Sequence, residues 1–181
     1  ENTLEISFDE MSHDVHQYTY RVLHCNKDWT ESDISSFEYI DGFTNADIVD
    51  YEHSLNTQRS YTHYWFEFPN NDMQIKASGN YVLQIYEDGD PENVVAKICF
   101  LVVEPMVGID ASIRANTDIE LNGRYQQLDL DILTAQLNMR DASEVHVVVQ
   151  QNGRHDNAVT LNKPTFIEPN RLRYLNQRSL I

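Results

Sequence analysis

The sequence contains few of the residues that build small cross-linked or metal-stapled scaffolds. Only two of its 181 residues are cysteines, which excludes a disulfide-rich miniprotein. The CxxC and HxxxH spacings of the usual zinc sites are also absent. No apolar run approaches the roughly 20 residues that span a lipid bilayer, so we expect no insertion into a membrane.

Basic residues are scarce as well. The chain has 13 Lys and Arg against 29 Asp and Glu, which gives a formal net charge of −16. Because nucleic acids and anionic lipids are bound chiefly through basic side chains, neither is an expected partner. The chain begins with the polar residues Glu1-Asn2-Thr3 and shows no signal peptide. We therefore expect either a cytosolic protein or an exported one whose leader was removed.

Alternation of apolar and polar residues is abundant, with many Tyr, Val, Ile and Phe between clusters of Asn, Asp, Gly and Pro. This period of two is typical of β-strands, and helical periodicity is nearly absent. Six strands are predicted in the first hundred residues, at 3–8, 17–25, 48–51, 62–68, 81–86 and 94–103. They predict an all-β fold that begins with an immunoglobulin-like β-sandwich, residues 1–104.

Pro105 marks a predicted domain boundary, because proline cannot donate a ladder hydrogen bond and restricts the residue before it. A second set of strands is predicted at 107–114, 127–133, 144–150, 158–161 and 171–175, with Asn-Gly turns at 122–123 and 152–153. Residues 129–136 could form a short helix instead. We predict a second, smaller β-sandwich domain over 105–181, incomplete relative to a longer full-length protein.

Aromatic side chains crowd into one segment. They are Tyr61, Tyr64, Trp65, Phe66 and Phe68. Neighbouring strand residues point to opposite faces, so Trp65 and Phe66 cannot share a face and one set fills the core. The outward set, together with Tyr39, Tyr51 and Tyr61, could form an apolar, hydrogen-bonding patch for a protein or glycan partner.

No phrase in the sequence predicts an enzyme, since GxSxG, phosphate-loop and triad-like patterns are absent. His24 and Cys25 are adjacent on a predicted strand and point to opposite faces, so they cannot easily share a proton. Asp129 and Asp131 lie on one face of a predicted strand, which suits acid–base chemistry or a solvated edge. Cys25 and Cys99 could form one disulfide or remain two buried thiols.

Two acidic stretches could bind a metal ion, although a solvated turn or loop is the simpler interpretation of each. The candidate ligands are Glu87, Asp88, Asp90 and Glu92 in one stretch and Glu10, His13, Asp14 and His16 in the other. The first stretch lacks the ligand order of an EF-hand, and the second has mixed ligands of no diagnostic spacing. We predict neither a metal nor another cofactor.

Six phrases, taken in order, carry a resemblance to a known family. They are HCNKDW, EYIDGF, SLNTQRSYTHYWFEFPN, SGNYVLQIYEDGD, FLVVEP and QQNGRHDNAV. The ordered set resembles the N-terminal part of the plug-protein family of the type IX secretion system of Bacteroidetes, formerly a domain of unknown function, over most of residues 4–159. The sequence departs from the family at His155, where an aromatic residue is frequent, and at Lys97-Ile98, where a basic pair is frequent.

The resemblance implies an exported periplasmic protein that caps the periplasmic end of a large outer-membrane β-barrel translocon. Such a plug needs a complementary surface and no catalytic pocket, so we predict a non-enzymatic binding protein. The main alternative is a carbohydrate-binding or adhesion module of the cell envelope, and a hydrolase that uses Asp129 and Asp131 is a third. The predicted partner-binding residues are Tyr39, Tyr51, Asn56, Tyr61, Tyr64, Trp65, Asn152, Arg154 and His155.

Overall fold

The computed structural model describes residues 3–12, 14–114, 126–154, 156–161 and 163–177. Across these residues the fold is almost entirely antiparallel β-sheet, which confirms the predicted all-β class. The chain divides into two compact units, Glu1–Glu104 and Pro105–Ile181. That each unit is a domain able to fold by itself stays a prediction. No helix within the described residues has the length and hydrophobicity needed to cross a lipid bilayer.

The described part of the first unit contains nine strands and one short helix. In chain order they are β1 (Leu4–Glu10), β2 (Tyr18–Cys25), α1 (Ser36–Tyr39), β3 (Ile40–Gly42), β4 (Asn45–Ile48), β5 (Asp50–His53), β6 (Thr62–Phe68), β7 (Met73–Ile75), β8 (Gly79–Glu87) and β9 (Val94–Val102). One sheet has the order β1-β6-β5 and the other has the order β4-β2-β8-β9, while β3 pairs with β7. These two orders match the B-E-D and C′-C-F-G sheets of an immunoglobulin-type sandwich.

Aromatic side chains from both sheets fill the space between them. Tyr64 and Phe68 of β6 and Tyr81 of β8 are fully buried. Tyr20 of β2 stacks on Phe66 of β6, with 4.4 Å between the ring centroids, and so joins the two sheets directly. Burying a large apolar side chain contributes about 1.5–3 kcal/mol. Because successive strand residues point to opposite faces, burial of these rings fixes which face of each sheet meets the core.

The second unit also consists of antiparallel strands. Its described elements are β10 (Gly108–Arg114), β11 (Gln127–Leu133), a short 3₁₀ helix (Ala142–Glu144), β12 (Val147–Val149), β13 (Val159–Leu161), β14 (Phe166–Glu168) and β15 (Arg171–Gln177). One sheet has the order β10-β11-β15-β14, and β12 pairs with β13. The core contains Leu130 and Ile132 of β11 with Leu172 and Tyr174 of β15. Residues 127–133 form the predicted strand and not the alternative helix.

Two local predictions were wrong. The single strand predicted at 48–51 is split, because β4 belongs to one sheet and β5 to the other, with the exposed Val49 between them. Ser78-Gly79-Asn80 has the composition of a tight turn, which predicts one there, but β8 begins at Gly79 instead. A Cβ atom on Gly79 would lie 2.3 Å from Nε2 of His24, so glycine is required there by close packing. The Asn-Gly turn predicted at 122–123 lies outside the described residues.

Candidate interaction surface

Two of the predicted contact residues are buried, and these predictions were wrong. Tyr39 is 5% exposed, its ring lies against those of His24 and Tyr81, and its hydroxyl donates to the carbonyl of Val22 at 3.4 Å. Tyr64 has no exposed area, and its ring stacks on Phe8 with 5.2 Å between centroids. Both tyrosines hold the sandwich together and present no ring to a partner.

Three other predicted residues lie on β5 or in the connection from β5 to β6. Tyr51 is 43% exposed at the edge of its sheet, and Asn56 is exposed with a left-handed backbone, φ 57°. Tyr61 is half-buried, and its N–H donates to Oγ of Ser54 at 3.0 Å. The backbone N–H of Ser54 in turn donates to the carbonyl of Tyr61 at 2.9 Å. These bonds fix the loop that carries Asn56.

Trp65 lies on the outer face of the β1-β6-β5 sheet, opposite to the face that packs in the core. Its half-buried indole stacks on the ring of His63, with 5.6 Å between centroids and 26° between planes. Nδ1 of His63 lies 2.6 Å from Oδ1 of Asp9 on β1. Tyr51 is paired with Tyr64 and therefore shares the inner face. Tyr51 and Trp65 consequently do not form one patch.

The remaining predicted residues belong to the second unit. Asn152 and Gly153 both have positive φ, 54° and 69°, as the predicted Asn-Gly turn requires. Asn152 also lines a cavity of about 420 Å³. Arg154 is exposed and pairs with Asp156, with 2.9 Å between Nε and Oδ1. His155 lies outside the described residues.

A cleft beside Trp65 collects carboxylates that the sequence does not place together. We call it the Trp65 cleft, a depression of about 410 Å³ whose charged lining residues are Asp47, Asp50, Glu67 and Asp72. Trp65 forms part of its wall, and no described Lys or Arg lines it. Tyr20 also lines it, and its hydroxyl accepts a hydrogen bond from Nδ2 of Asn70 at 2.7 Å. Burial raises the pKa of the Tyr20 phenol, so the phenol stays neutral.

The four carboxylates of the Trp65 cleft have no positive partner among the described residues. None of them takes part in a described ion pair within 4 Å, whereas three other acids of the first unit do: Glu10 and Glu87 pair with His16, and Asp9 pairs with His63. Asp47 accepts a hydrogen bond from the Thr19 hydroxyl at 2.8 Å. That bond fixes the orientation of Asp47 without neutralising its charge.

Net charge is distributed unevenly along the chain. Residues 1–104 contain 20 of the 29 acids and 5 of the 13 bases, a net charge of −15, and residues 105–181 have a net charge of −1. The three strands of the Trp65 sheet contain six acids and no Lys or Arg. Five of these acids point outward with Trp65: Glu5, Asp9, Asp50, Glu52 and Glu67. The first unit is therefore suited to a basic partner.

Asp129 and Asp131 lie side by side on the outer face of β11, but they are neutralised by arginines. Oδ2 of Asp129 lies 3.4 Å from Arg114, and Oδ1 of Asp131 lies 3.1 Å from Nε of Arg173. Arg171 lies 3.9 Å from the same carboxylate of Asp131. This ladder of ion pairs explains the two aspartates as cross-strand partners and gives the hydrolase alternative no support.

The structure gives no support to a metal site among the described residues, and it shows both cysteines as free thiols. Among the described residues, no group of three or more His, Cys, Asp or Glu side chains is arranged to hold a metal ion. Asp88 and Gly89 have positive φ, 55° and 67°, and form the hairpin turn between β8 and β9. Cys25 is a buried free thiol and Cys99 an exposed one, on the outer face of the β4-β2-β8-β9 sheet.

The exposure of two acids of the Trp65 cleft could have been predicted from the sequence. Asp50 and Glu67 fall at outward positions of strands whose inward positions are aromatic, so their exposure follows from the alternation. Asp47 belongs to the opposite sheet and Asp72 to the turn before β7. No periodicity brings these two residues beside Trp65, because only the pairing of distant strands does so.

Together the fold and this surface define an immunoglobulin-like β-sandwich with an acidic outer face that carries Trp65. Residues 1–104 match the family model described as type 9 secretion system plug protein 1st domain. The chain belongs to this family, which associates it with type IX secretion, and the family is not an enzyme family.

A solved structure resembles the whole chain. It is the crystal structure of a hypothetical protein from Parabacteroides merdae ATCC 43184, with a TM-score of 0.85 and 38% sequence identity. The match covers 98% of this chain and 45% of that one, so this chain spans less than half the length of its relative. No curated protein matches the chain.

Proposed function

We propose that this protein is a non-enzymatic component of the periplasm that plugs the periplasmic end of a type IX outer-membrane translocon barrel. The observation that carries the proposal is the family match over residues 1–104. A plug must fill an opening and leave it again when a substrate arrives, which requires a rigid body and a polar contact surface. A sandwich with an aromatic core and an acidic exterior meets both requirements.

Within this proposal the contact surface uses the exposed part of the predicted set. On the first unit these residues are Tyr51, Asn56, Tyr61 and Trp65, and on the second they are Asn152 and Arg154. Partly exposed aromatic residues supply most of the affinity in many protein interfaces, while charged residues set the rate and specificity of association. The partner would be the translocon barrel itself.

The carbohydrate-binding alternative loses its main support. It requires Tyr61, Tyr64 and Trp65 to form a flat platform for sugar rings, but Tyr64 is fully buried and Trp65 points to the opposite face of the same strand. Of the three rings, only Tyr61 and Trp65 remain, and each is half-buried. We therefore do not carry a glycan-binding function forward.

The test is affinity purification of the tagged, full-length protein from its native envelope, followed by mass spectrometry. Recovery of a very large outer-membrane barrel protein is the expected result. A deletion strain should also leak periplasmic markers or admit large antibiotics, because an unplugged barrel is open to small molecules. A prey set without any outer-membrane barrel, together with an intact permeability barrier in the deletion strain, would refute the proposal.

A further inference from the structure

The Trp65 cleft holds four negative charges without a counter-charge among the described residues. All four acids are exposed, so their like charges repel each other through water, and salt screens this repulsion. The cleft keeps these charges because the fold positions them on separate elements: β4, β5, β6 and the turn before β7. A cation entering the cleft would relieve this repulsion, so the arrangement favours a positively charged occupant.

The wall formed by Trp65 narrows the choice of cation. An indole face attracts a cation, and arginine is the cation that most often takes this place because its flat guanidinium stacks on the ring. The guanidinium also donates two parallel hydrogen bonds to one carboxylate, as Asp50 and Glu67 could accept beside the ring. A lysine ammonium is a hydrated point charge and gains less from either contact.

We propose that the Trp65 cleft binds an arginine side chain of a partner polypeptide. The net charge of −15 on residues 1–104 selects for a basic segment and against nucleic acids and anionic lipids. The cleft volume of about 410 Å³ is within the range of small-ligand sites. It accepts one long side chain and the backbone beside it, while the flat sheet around it accepts the flanking residues.

The rows of outward residues beyond the cleft predict the spacing between arginines in the partner segment. Asp50 is paired with Trp65, and the next outward row contains Glu52, His63 and Asp9. Successive outward rows are about 7 Å apart, which is also the distance between residues i and i+2 of an extended chain. An extended segment of the form Arg-x-Arg therefore places its second arginine over the carboxylate of Glu52, beside the pair that His63 forms with Asp9.

This inference rests on the proposed function only for the identity of the partner, which would be a component of the translocon. The binding itself is tested on the 181-residue chain without any translocon. The reporter is Trp65 fluorescence in a Trp29→Phe background, which leaves Trp65 as the single tryptophan. The probe is the blocked peptide acetyl-Gly-Arg-Gly-Arg-Gly-amide, titrated at low salt. The matched peptides replace both arginines by lysine or by uncharged citrulline.

The arginine peptide should produce a saturable change in Trp65 fluorescence that weakens as salt is raised. The lysine peptide should bind about tenfold more weakly, and the citrulline peptide should not bind, since one charge-assisted contact is worth roughly a factor of ten. Equal binding of the lysine and arginine peptides would overturn the proposed selection of a guanidinium. Absence of saturable binding by the arginine peptide would overturn the proposal as a whole.

Two double variants distinguish the cleft from general attraction to an acidic protein. Asp50→Asn with Glu67→Gln removes two charges from the cleft, and Asp90→Asn with Glu92→Gln removes two from the exposed turn between β8 and β9. The first variant should lose arginine-peptide affinity at least tenfold, while the second should lose less than twofold. Equal losses would overturn the proposal. Unchanged thermal unfolding of both variants is the control for folding.

The same cleft variant in the full-length protein separates this inference from the proposed function. If the peptide binds at the cleft but no barrel is recovered from the envelope, the inference stands and the plug function fails. If the barrel is recovered equally by the wild-type protein and the cleft variant, the barrel is not the partner of the cleft, and the assignment of the partner fails while the peptide titration still decides arginine binding. Loss of the barrel from the cleft variant alone supports both.

Discussion

Nδ1 of His16 contacts the carboxylate of Glu87 and so connects the two sheets of the first unit at one end of the sandwich. Glu87 is the last residue of β8, and Oε1 of Glu10, the last residue of β1, lies 3.5 Å from Nε2 of the same imidazole. The hydrogen bond with Glu87 raises the pKa of His16, and the negative charges of Glu10 and Asp14 act in the same direction. Desolvation acts against them.

The raised pKa of His16 predicts the direction of a pH effect on stability. A pKa that is higher in the folded state means that folding is favoured by protonation. The stabilising contribution is complete below the ordinary pKa of 6.5 and is lost as the pH rises through the higher folded pKa. The difference in unfolding free energy between the wild-type protein and a His16→Gln variant should therefore shrink as the pH increases, as urea denaturation would show.

NMR titration of the imidazole gives the control for this prediction. Glu87→Gln should lower the pKa of His16 toward 6.5, because the hydrogen bond with Glu87 is the largest cause of the increase. The titratable groups described near His16 are Glu10, Asp14, Tyr18, Tyr64 and Glu87. A folded pKa at or below 6.5 in the wild-type protein would contradict the prediction.

Tyr64 should behave as a structural residue and not as a contact residue. Its ring packs against Phe8 and Tyr18, and its hydroxyl accepts a hydrogen bond from the backbone N–H of His16 at 3.0 Å. Tyr64→Phe should cost about 1–3 kcal/mol, because the amide loses its partner. Tyr64→Ala should cost about 3–5 kcal/mol through the cavity it creates. Guanidinium denaturation measures both, and a change below 0.5 kcal/mol in either, roughly the size of a surface substitution, would refute this role.

The positions of the long strands of the first unit followed from the sequence, and its shortest elements did not. The long strands β2, β6 and β9 are rich in aromatic and β-branched residues, so their positions could be predicted. The strands β3 and β7 have three residues each, which is too few to show a period. Ser35 and Glu38 have the spacing of a capping box, which indicates the start of helix α1, and the Ser35 N–H donates to the Glu38 carboxylate at 2.9 Å.

Gly42 is expected to tolerate no side chain. Its φ is +104°, and a Cβ atom would lie 2.1 Å from the carbonyl oxygen of Asp72, whose backbone is fixed by a 2.8 Å hydrogen bond from Phe43. Gly42→Ala should lower stability by about 2 kcal/mol or more, because both strain and overlap act. The matched control is Gly89→Ala, also at positive φ, 67°, but with open space around it.

The melting temperatures of the two glycine variants separate the effect of steric overlap, present only at Gly42, from the effect of backbone strain, present at both positions. Gly89→Ala should cost about 1 kcal/mol from strain alone. An equal fall in Tm for both variants would show that the contact with Asp72 is relieved by a small backbone shift.

The two thiols should differ in reactivity. Cys99 is exposed, whereas Cys25 is 5% exposed and burial raises the pKa of its thiol. Because the thiolate is the reactive form, iodoacetamide at about neutral pH should modify Cys99 well before Cys25. Peptide mapping after a short pulse measures the order. Faster modification of Cys25 than of Cys99 would contradict the burial of Cys25, and Cys99→Ser identifies the remaining signal.

The candidate surface was less predictable than the fold. Period-two alternation placed Trp65 and Phe66 on opposite faces but could not show which face meets the core or that Tyr39 and Tyr64 are buried, because burial depends on what covers a residue. Tyr39 sits on a four-residue helix that packs against β2, a contact between distant parts of the chain. The charge of the Trp65 cleft likewise arises from residues that are separated in sequence and joined by the sandwich.

Strand β9 ends its sheet and has no described strand beyond it. Of its nine residues, Lys97 alone is charged, and it stands one position from the middle of an otherwise apolar and small-residue strand that leaves Val95 and Leu101 exposed. Two copies that met edge to edge, antiparallel and centred on Ile98, would each place this lysine opposite Cys99 of the other, so that the two like charges would be diagonal neighbours on one face. Their repulsion disfavours pairing of two copies along this edge.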